Sequence, residues 1–142
     1  MRRSIKTMLS LLEKTEEEKL KSFILAPVPT NPNKRLKEYV DRKRQNLIEH
    51  LMLLKEAGYI TQVSFSTTDD GFVFHGEYAR LTMKGHDLLA VVRSDPLRKR
   101  MEEILKETGL PLTADSLNII THEAIDELIR ERAYVHKEKY QR

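Results

Sequence analysis

The 142-residue chain contains no cysteine. That excludes disulfides, thiol nucleophiles and cysteine-ligated zinc, and it fits a reducing, cytoplasmic setting. Tryptophan is also missing. Glycine and proline number five each, and three of the prolines (Pro27, Pro29, Pro32) crowd into one short stretch. Breaks are therefore few, and the remaining chain is free to form helices. No apolar run approaches the roughly 20 residues that a bilayer-spanning helix needs. Met1-Arg2-Arg3 is followed by no continuous apolar segment and no small-residue cleavage site, so no secretory signal is expected. The glycine-rich phosphate loop, the GxGxxG fingerprint, HExxH and the nucleophile elbow are all absent. An enzyme is not expected, nor is a cofactor or a metal.

Hydrophobic residues make up 39% of the chain and charged residues 33%, the balance of one soluble domain with a real core. Net charge is only +3. Its distribution says more than its total. Lys34, Arg35, Lys37, Arg42, Lys43 and Arg44 stand against only Glu38 and Asp41. A second cluster, Arg93, Arg98, Lys99 and Arg100, lies near Asp95. Clustered cations point to an anionic partner, whereas the plainer reading is a solvated helix face.

Periodicity places an amphipathic helix over residues 4–14, with Ile5, Met8, Leu9 and Leu12 on its apolar face. Thr15-Glu16-Glu17-Glu18 has the form of a capping box and predicts a new helix running to about Lys21. Residues 22–25 are apolar and read equally as that helix's end or a short strand. The prolines make residues 26–33 an extended loop. Helix resumes near Lys34 and runs to Ala57. No glycine or proline interrupts it, so one long helix and two helices with a tight turn both remain open.

Leu47, Leu51, Leu54 and Ala57 recur at helical spacing before Gly58, which supplies a left-handed stop. Residues 59–66 and 72–81 read as strands, joined by Thr67-Thr68-Asp69-Asp70-Gly71. Thr82 caps a helix over residues 83–93 with Leu88, Leu89 and Val92 on its apolar face. Asp95 is expected as the next N-cap, with Pro96 at the first helical position and Gly109 as the stop. Leu110-Pro111-Leu112 is a linker. Thr113 or Asp115 then caps a last helix carrying Leu117, Ile120, Ile125, Leu128 and Ile129, and the polar residues 133–142 are expected to fray.

Helix, glycine, strand, hairpin, strand, threonine cap and helix is the layout of a winged helix-turn-helix. The expected fold class is α+β, mainly α, with a β-hairpin wing and additional C-terminal helices. Residues 1–109 would form the winged-helix domain. Residues 110–142 would form a helical extension that packs on it or makes a homodimer. In this layout the helix before Gly58 enters a DNA groove. Its candidate DNA-binding residues are Arg42, Lys43, Arg44, Gln45, Asn46 and His50, with Lys34 and Arg35. Arginine grips guanine bidentately, and glutamine or asparagine grips adenine likewise. Lysines and Arg44 would hold phosphates, while Asp41 and Glu49 repel them. The wing, or a secondary basic patch of Arg98, Lys99 and Arg100, would rest on the backbone.

Other eye-catching residues read as structural. His86-Asp87 looks like a catalytic or metal pair, but a histidine there is expected to pack under the hairpin and an aspartate to satisfy a helix N-terminus. Two ligands alone make no metal site. His122 and Asp126 form a surface i, i+4 pair. Phe65, Phe72, Phe74 and Tyr78 read as cross-strand packing rather than as a base-stacking platform.

Met1-Arg2-Arg3 with its Leu/Ile-rich helix, His50-Leu51-Met52-Leu53-Leu54-Lys55-Glu56-Ala57-Gly58-Tyr59-Ile60 and Arg80-Leu81-Thr82-Met83-Lys84-Gly85-His86-Asp87-Leu88-Leu89 resemble a bacterial and phage family known as domain of unknown function 2513. Residues 96–106 and Gly109-Leu110-Pro111-Leu112-Thr113 are similar to that family's tail. Residues 15–44 differ, being longer, richer in proline and more basic. The resemblance implies a small winged-helix-like protein, often carried on prophages or mobile elements, without a known activity. Residues 49–60 are more loosely similar to the recognition helix and first wing strand of ArsR- and MarR-type repressors. That similarity implies groove-facing positions at Arg42, Lys43, Gln45, Asn46, Glu49 and His50. The expected function is sequence-specific double-stranded DNA binding by a small transcriptional regulator. The alternative is a protein-interaction adaptor or inhibitor that binds a host or phage protein.

Overall fold

A computed structural model describes residues 3–26, 31–69 and 71–140, without the side chains of 67, 68, 71, 72 and 134–140. The chain is α+β and mainly helical. Its order is α1 (Ile5–Glu16), α2 (Leu20–Ile24), α3 (Lys34–Glu56), β1 (Ile60–Thr61), β2 (Ser64–Thr68), β3 (Gly71–His75), β4 (Arg80–Leu81), α4 (Met83–Arg93), α5 (Asp95–Thr108) and α6 (Ala114–Tyr140). No helix among the described residues is long and apolar enough to cross a membrane.

Helix α1 begins as expected, with the Ser4 hydroxyl accepting from Thr7 N–H at 3.4 Å. Its buried stripe is Ile5, Met8, Leu11, Leu12 and Thr15, so Leu11 takes the core place expected for Leu9, which is only half-buried. The capping box at Thr15 does not form. Thr15 is buried and donates its hydroxyl back to Leu11 C=O at 2.7 Å, continuing α1 instead of opening a helix. Burial on the α1 stripe outweighs the local capping preference. Glu18, with φ at 61°, breaks the chain, and α2 starts only at Leu20. Residues 22–24 belong to α2, which settles the helix-or-strand ambiguity there.

Helix α3 is one uninterrupted helix. Asn33 caps it by accepting from Leu36 N–H at 2.7 Å. Its end is a Schellman closure: Tyr59 N–H donates to Leu54 C=O at 2.9 Å and Gly58 N–H to Lys55 C=O at 3.0 Å, with Gly58 at φ 84°.

Each expected long strand is split in two. Ile60 pairs with Leu81 and Thr61 with Arg80, while Ser64 through Thr68 pair antiparallel with His75 through Gly71. The breaks fall at Gln62, whose φ is 61°, and at the turn after His75. Gly76 permits that turn, because a Cβ there would lie 2.2 Å from the Phe74 ring. Phe65 and Phe74 stand opposite each other with ring centroids 5.3 Å apart, the expected cross-strand packing. Tyr78 instead is exposed, and the side chain of Phe72 lies outside the described residues.

Thr82 caps α4 as expected, accepting from Gly85 N–H at 3.0 Å. The N-cap of α5 is Ser94, not Asp95, with no side-chain cap bond, and Gly109 ends that helix at φ 67°. Thr113 opens α6 by accepting from Ser116 N–H at 3.1 Å, and the helix continues through Tyr140. The core gathers Met8, Leu11 and Leu12 of α1, Leu51 and Leu54 of α3, Leu88, Leu89 and Val92 of α4, Met101 of α5, and Leu117, Ile120 and Ala124 of α6. Of the apolar α6 residues expected to serve a dimer, Leu117 and Ile120 are therefore internal, Ile125 and Leu128 are half-buried, and Ile129 is exposed.

Candidate nucleic-acid interface

Two halves of α3 behave differently. From Leu47 onward its inner stripe is core: Leu47, Ile48, His50, Leu51, Leu53 and Leu54 are buried. Residues 34–46 contain no fully buried side chain; Leu36, Val40, Arg44 and Asn46 are half-buried and the rest are exposed. At 1.5 Å per residue, this outer half is about 20 Å long. The outer half carries the cation cluster. Lys34, Arg35, Lys37, Arg42 and Lys43 are exposed, and Arg44 is half-buried with Nε donating to Ile24 C=O at 3.3 Å.

Among the described residues, none of these six cations is in an ion pair; single cations elsewhere, such as Lys6 and Lys106, share that state, but here six lie close together on one helix, and other basic residues are committed to acids. Arg93 reaches Glu16 at 2.8 Å and Glu13 at 3.7 Å, and Lys21 reaches Glu77 at 2.6 Å. That last hydrogen bond holds the Glu77 carboxyl below the ordinary carboxylate range. The helix dipole sharpens the contrast. A helix N-terminus favours acids, by about 0.3–1 kcal/mol each, and disfavours cations. The first turns of α5 and α6 hold Asp95 and Asp115 accordingly; α1 and α4 open without an acid on a single lysine each, Lys6 and Lys84, whereas α3 opens on three cations, Lys34, Arg35 and Lys37. Two positive fields thus add at the free end of α3.

At 100° per residue, Arg42, Gln45 and Glu49 fall within about 60° of one another on the outward face. Arg35 and Lys43 flank that face on one side, and Lys34 and Lys37 on the other. Asn46 is half-buried at the flank, its buried side-chain oxygen without a hydrogen-bond partner among the described residues.

His50 does not belong to this surface. It is wholly buried, with Nε2 accepting from Ser4 N–H and Nδ1 bonded to Asn46 C=O, both at 2.8 Å. One nitrogen donates and the other accepts, so the neutral ring satisfies both bonds. It clasps the start of α1 to α3 where α3 leaves the body. The secondary basic patch also dissolves. Arg98 is bonded to Asp95 at 2.5 Å, and Arg100 to Glu127 at 2.7 Å and Glu103 at 3.3 Å, leaving only Lys99 exposed and without an ion pair among the described residues. The bond to Arg100 holds the Glu127 carboxyl low. The hairpin is no better suited to phosphate: residues 62–79 contain no lysine or arginine, and their turn carries Asp69 and Asp70.

His86 is exposed and faces Glu16, with Nδ1 3.8 Å from its carboxylate, rather than packing under the hairpin. His122 and Asp126 form the expected surface pair at 3.5 Å. The residues that sequence reasoning passed over are the fasteners around Gly58. Thr82 Oγ1 donates to Gly58 C=O at 2.6 Å. Lys84 Nζ donates to Ala57 C=O at 2.8 Å and lies 4.7 Å from the Tyr59 ring centroid, a cation placed at the negative end of α3. Tyr59 in turn donates its hydroxyl to Asn118 of α6, and burial pushes its phenol above the ordinary value. The signal for these fasteners lies in the Arg80–Asp87 motif itself, whose Thr, Lys and Gly each have a separate contact.

The family described as a hypothetical protein, DUF2513, matches residues 4–111. No curated protein and no solved structure matches the chain.

Proposed function

The chain belongs to the DUF2513 family, and from that footing we propose that it is a winged-helix regulator that reads double-stranded DNA with the outer half of α3. The observation that carries this reading is the set of six cations on residues 34–46 without ion pairs among the described residues, three of which (Lys34, Arg35 and Lys37) open the helix where its dipole disfavours positive charge. A structural helix gains nothing from that arrangement; a phosphate-lined groove does. A major groove about 12 Å wide accepts a helix, and flanking cations on both sides of the outward face suit its two backbones. In winged-helix terms α1, α2 and α3 are the three helices and β1–β4 the wing. The connection between α2, which ends at Ile24, and α3, which begins at Lys34, exceeds the three or four residues of an ordinary helix-turn-helix turn. Because the hairpin lacks cations and Arg98 and Arg100 are committed to acids, α3 supplies the phosphate contacts itself. A small transcriptional regulator in a prophage or mobile-element setting fits this chemistry.

The test is capture of genomic fragments, including the region upstream of the coding sequence, on the purified protein at about 150 mM salt. Enrichment of a short shared sequence is expected. Its affinity should fall with salt at a log–log slope of about −4.5, close to one released counterion for each of the five exposed cations on residues 34–46. Failure to enrich any sequence over random DNA would overturn the reading. It would favour an adaptor that uses the exposed Val73 and Tyr78 of the cation-free hairpin region on a protein partner.

A further inference from the structure

The outward face of α3 carries a feature that phosphate attraction does not explain: a carboxylate at its centre. Glu49 is exposed, and Gln45 Nε2 donates to Glu49 Oε1 at 3.4 Å. Arg42 lies on the same face, its Nε donating to Glu38 C=O at 3.4 Å, which leaves its two terminal nitrogens facing outward without a partner among the described residues. Resting on the DNA-binding reading above, we propose that Arg42, Gln45 and Glu49 are the base-reading residues and that Glu49 selects a cytosine.

Three considerations support this. First, a carboxylate facing a groove repels phosphate and finds one good donor among the base edges, the N4 amine of cytosine. Its presence there is a penalty on all duplexes and a gain on one base. Second, the backbone at Glu49 is fixed. Ile48, His50 and Leu51 beside it are buried, and His50 is tied to Ser4 and Asn46. A reading group needs such support to discriminate. Third, the spacing fits. Arg42 and Glu49 are about 10 Å apart along the helix, roughly three base-pair steps. The bond from Gln45 occupies one amide hydrogen and orients Glu49, leaving the Gln45 carbonyl and second hydrogen for an adenine between the other two contacts.

Selection from a random duplex library with the wild-type chain, Glu49→Gln and Arg42→Ala tests the assignment. Wild type should enrich a motif in which a guanine and a cytosine lie about three positions apart. Glu49→Gln should lose roughly tenfold discrimination at the cytosine alone, while its affinity for random duplex rises because a repulsive charge is gone. Arg42→Ala should lose the guanine alone. All three side chains are exposed, so matching circular dichroism spectra will establish that the variants fold. If Glu49→Gln binds random duplex more tightly yet enriches the unchanged motif, Glu49 is only a repulsive charge and this inference fails while DNA binding stands. If wild type enriches no motif, the DNA reading fails and carries this one with it.

Discussion

At the scale of single residues, Gly85 decides whether α3, the hairpin and α4 meet. A Cβ at Gly85 would lie 2.0 Å from Tyr59 C=O, a backbone atom that no rotamer change relieves. Gly58 presents the opposite case: its φ is 84°, and nothing lies within 4 Å of an added Cβ. Gly58→Ala should therefore cost about 1 kcal/mol, the ordinary strain of a left-handed side chain. Gly85→Ala should cost about 3 kcal/mol or prevent folding, because the helix start must separate from the strand. Urea midpoints of the two variants check this, and equal losses would refute the close contact as the cause. This contact joins residues far apart in sequence, so the Arg80–Asp87 motif showed a helix start at Thr82 but not the reason for its glycine. His50 was within reach of sequence reasoning. It stands three residues after Leu47 and four before Leu54, on the apolar stripe, and that periodicity outranks the basic neighbours that drew it to the DNA face. His86 offered no such clue, because its partner Glu16 is on α1.

At the scale of elements, caps and glycines located α3, α4 and the end of α5 well, since their signals are local. Thr15 misled because its capping box competed with burial on α1, and the strands split because Gln62 adopts a left-handed conformation that its residue type does not announce. The α3 cluster was legible for the same local reason: cations at close spacing on one helix need no tertiary information to be seen. Its first turn also yields a prediction in which stability and function move oppositely. The double change Lys34→Glu and Arg35→Glu places acids where the dipole favours them, close to Asn33, the existing cap. Thermal stability should rise by about 0.5–1 kcal/mol in total. Duplex affinity should fall at least tenfold, and the salt slope should flatten by about 2 as two phosphate contacts disappear. Calorimetry and a salt titration of the same variant check both halves. A variant that melts earlier, or that binds duplex as before, would remove the argument that these cations are kept against the interests of the helix.

At the scale of the whole molecule, the net charge of +3 conceals a division of labour. The arginines of α4 and α5 are committed to acids, whereas none of those on residues 34–46 of α3 is in an ion pair among the described residues. The expected Arg98–Lys99–Arg100 patch is neutralised in part locally, by Asp95 and Glu103, and in part by Glu127 of α6, which lies beyond the span that local spacing surveys. The same bond makes α6 sensitive to acid. Glu127 is held below the ordinary carboxylate range in the folded chain, so its contribution is present at neutral pH and lost as pH falls through that lowered value. Glu127→Gln should lower stability at pH 7 and should narrow its gap from wild type in acid. The larger consequence concerns α6 itself, which lies wholly beyond the family-matched residues 4–111. Leu117, Ile120 and Ala124 are at most 1% exposed within the common core, and Tyr59 bonds to Asn118. A chain ending at Pro111 loses these three side chains and Leu112 from the core. Their removal takes away on the order of 2 kcal/mol for each large aliphatic group, a large fraction of a typical domain's 5–15 kcal/mol. Such a truncation should lose its cooperative melting transition, while Glu127→Gln should keep one at a lower temperature. A truncated chain that melts cooperatively near the full-length temperature would show that residues 1–111 fold unaided and that α6 is an accessory to them.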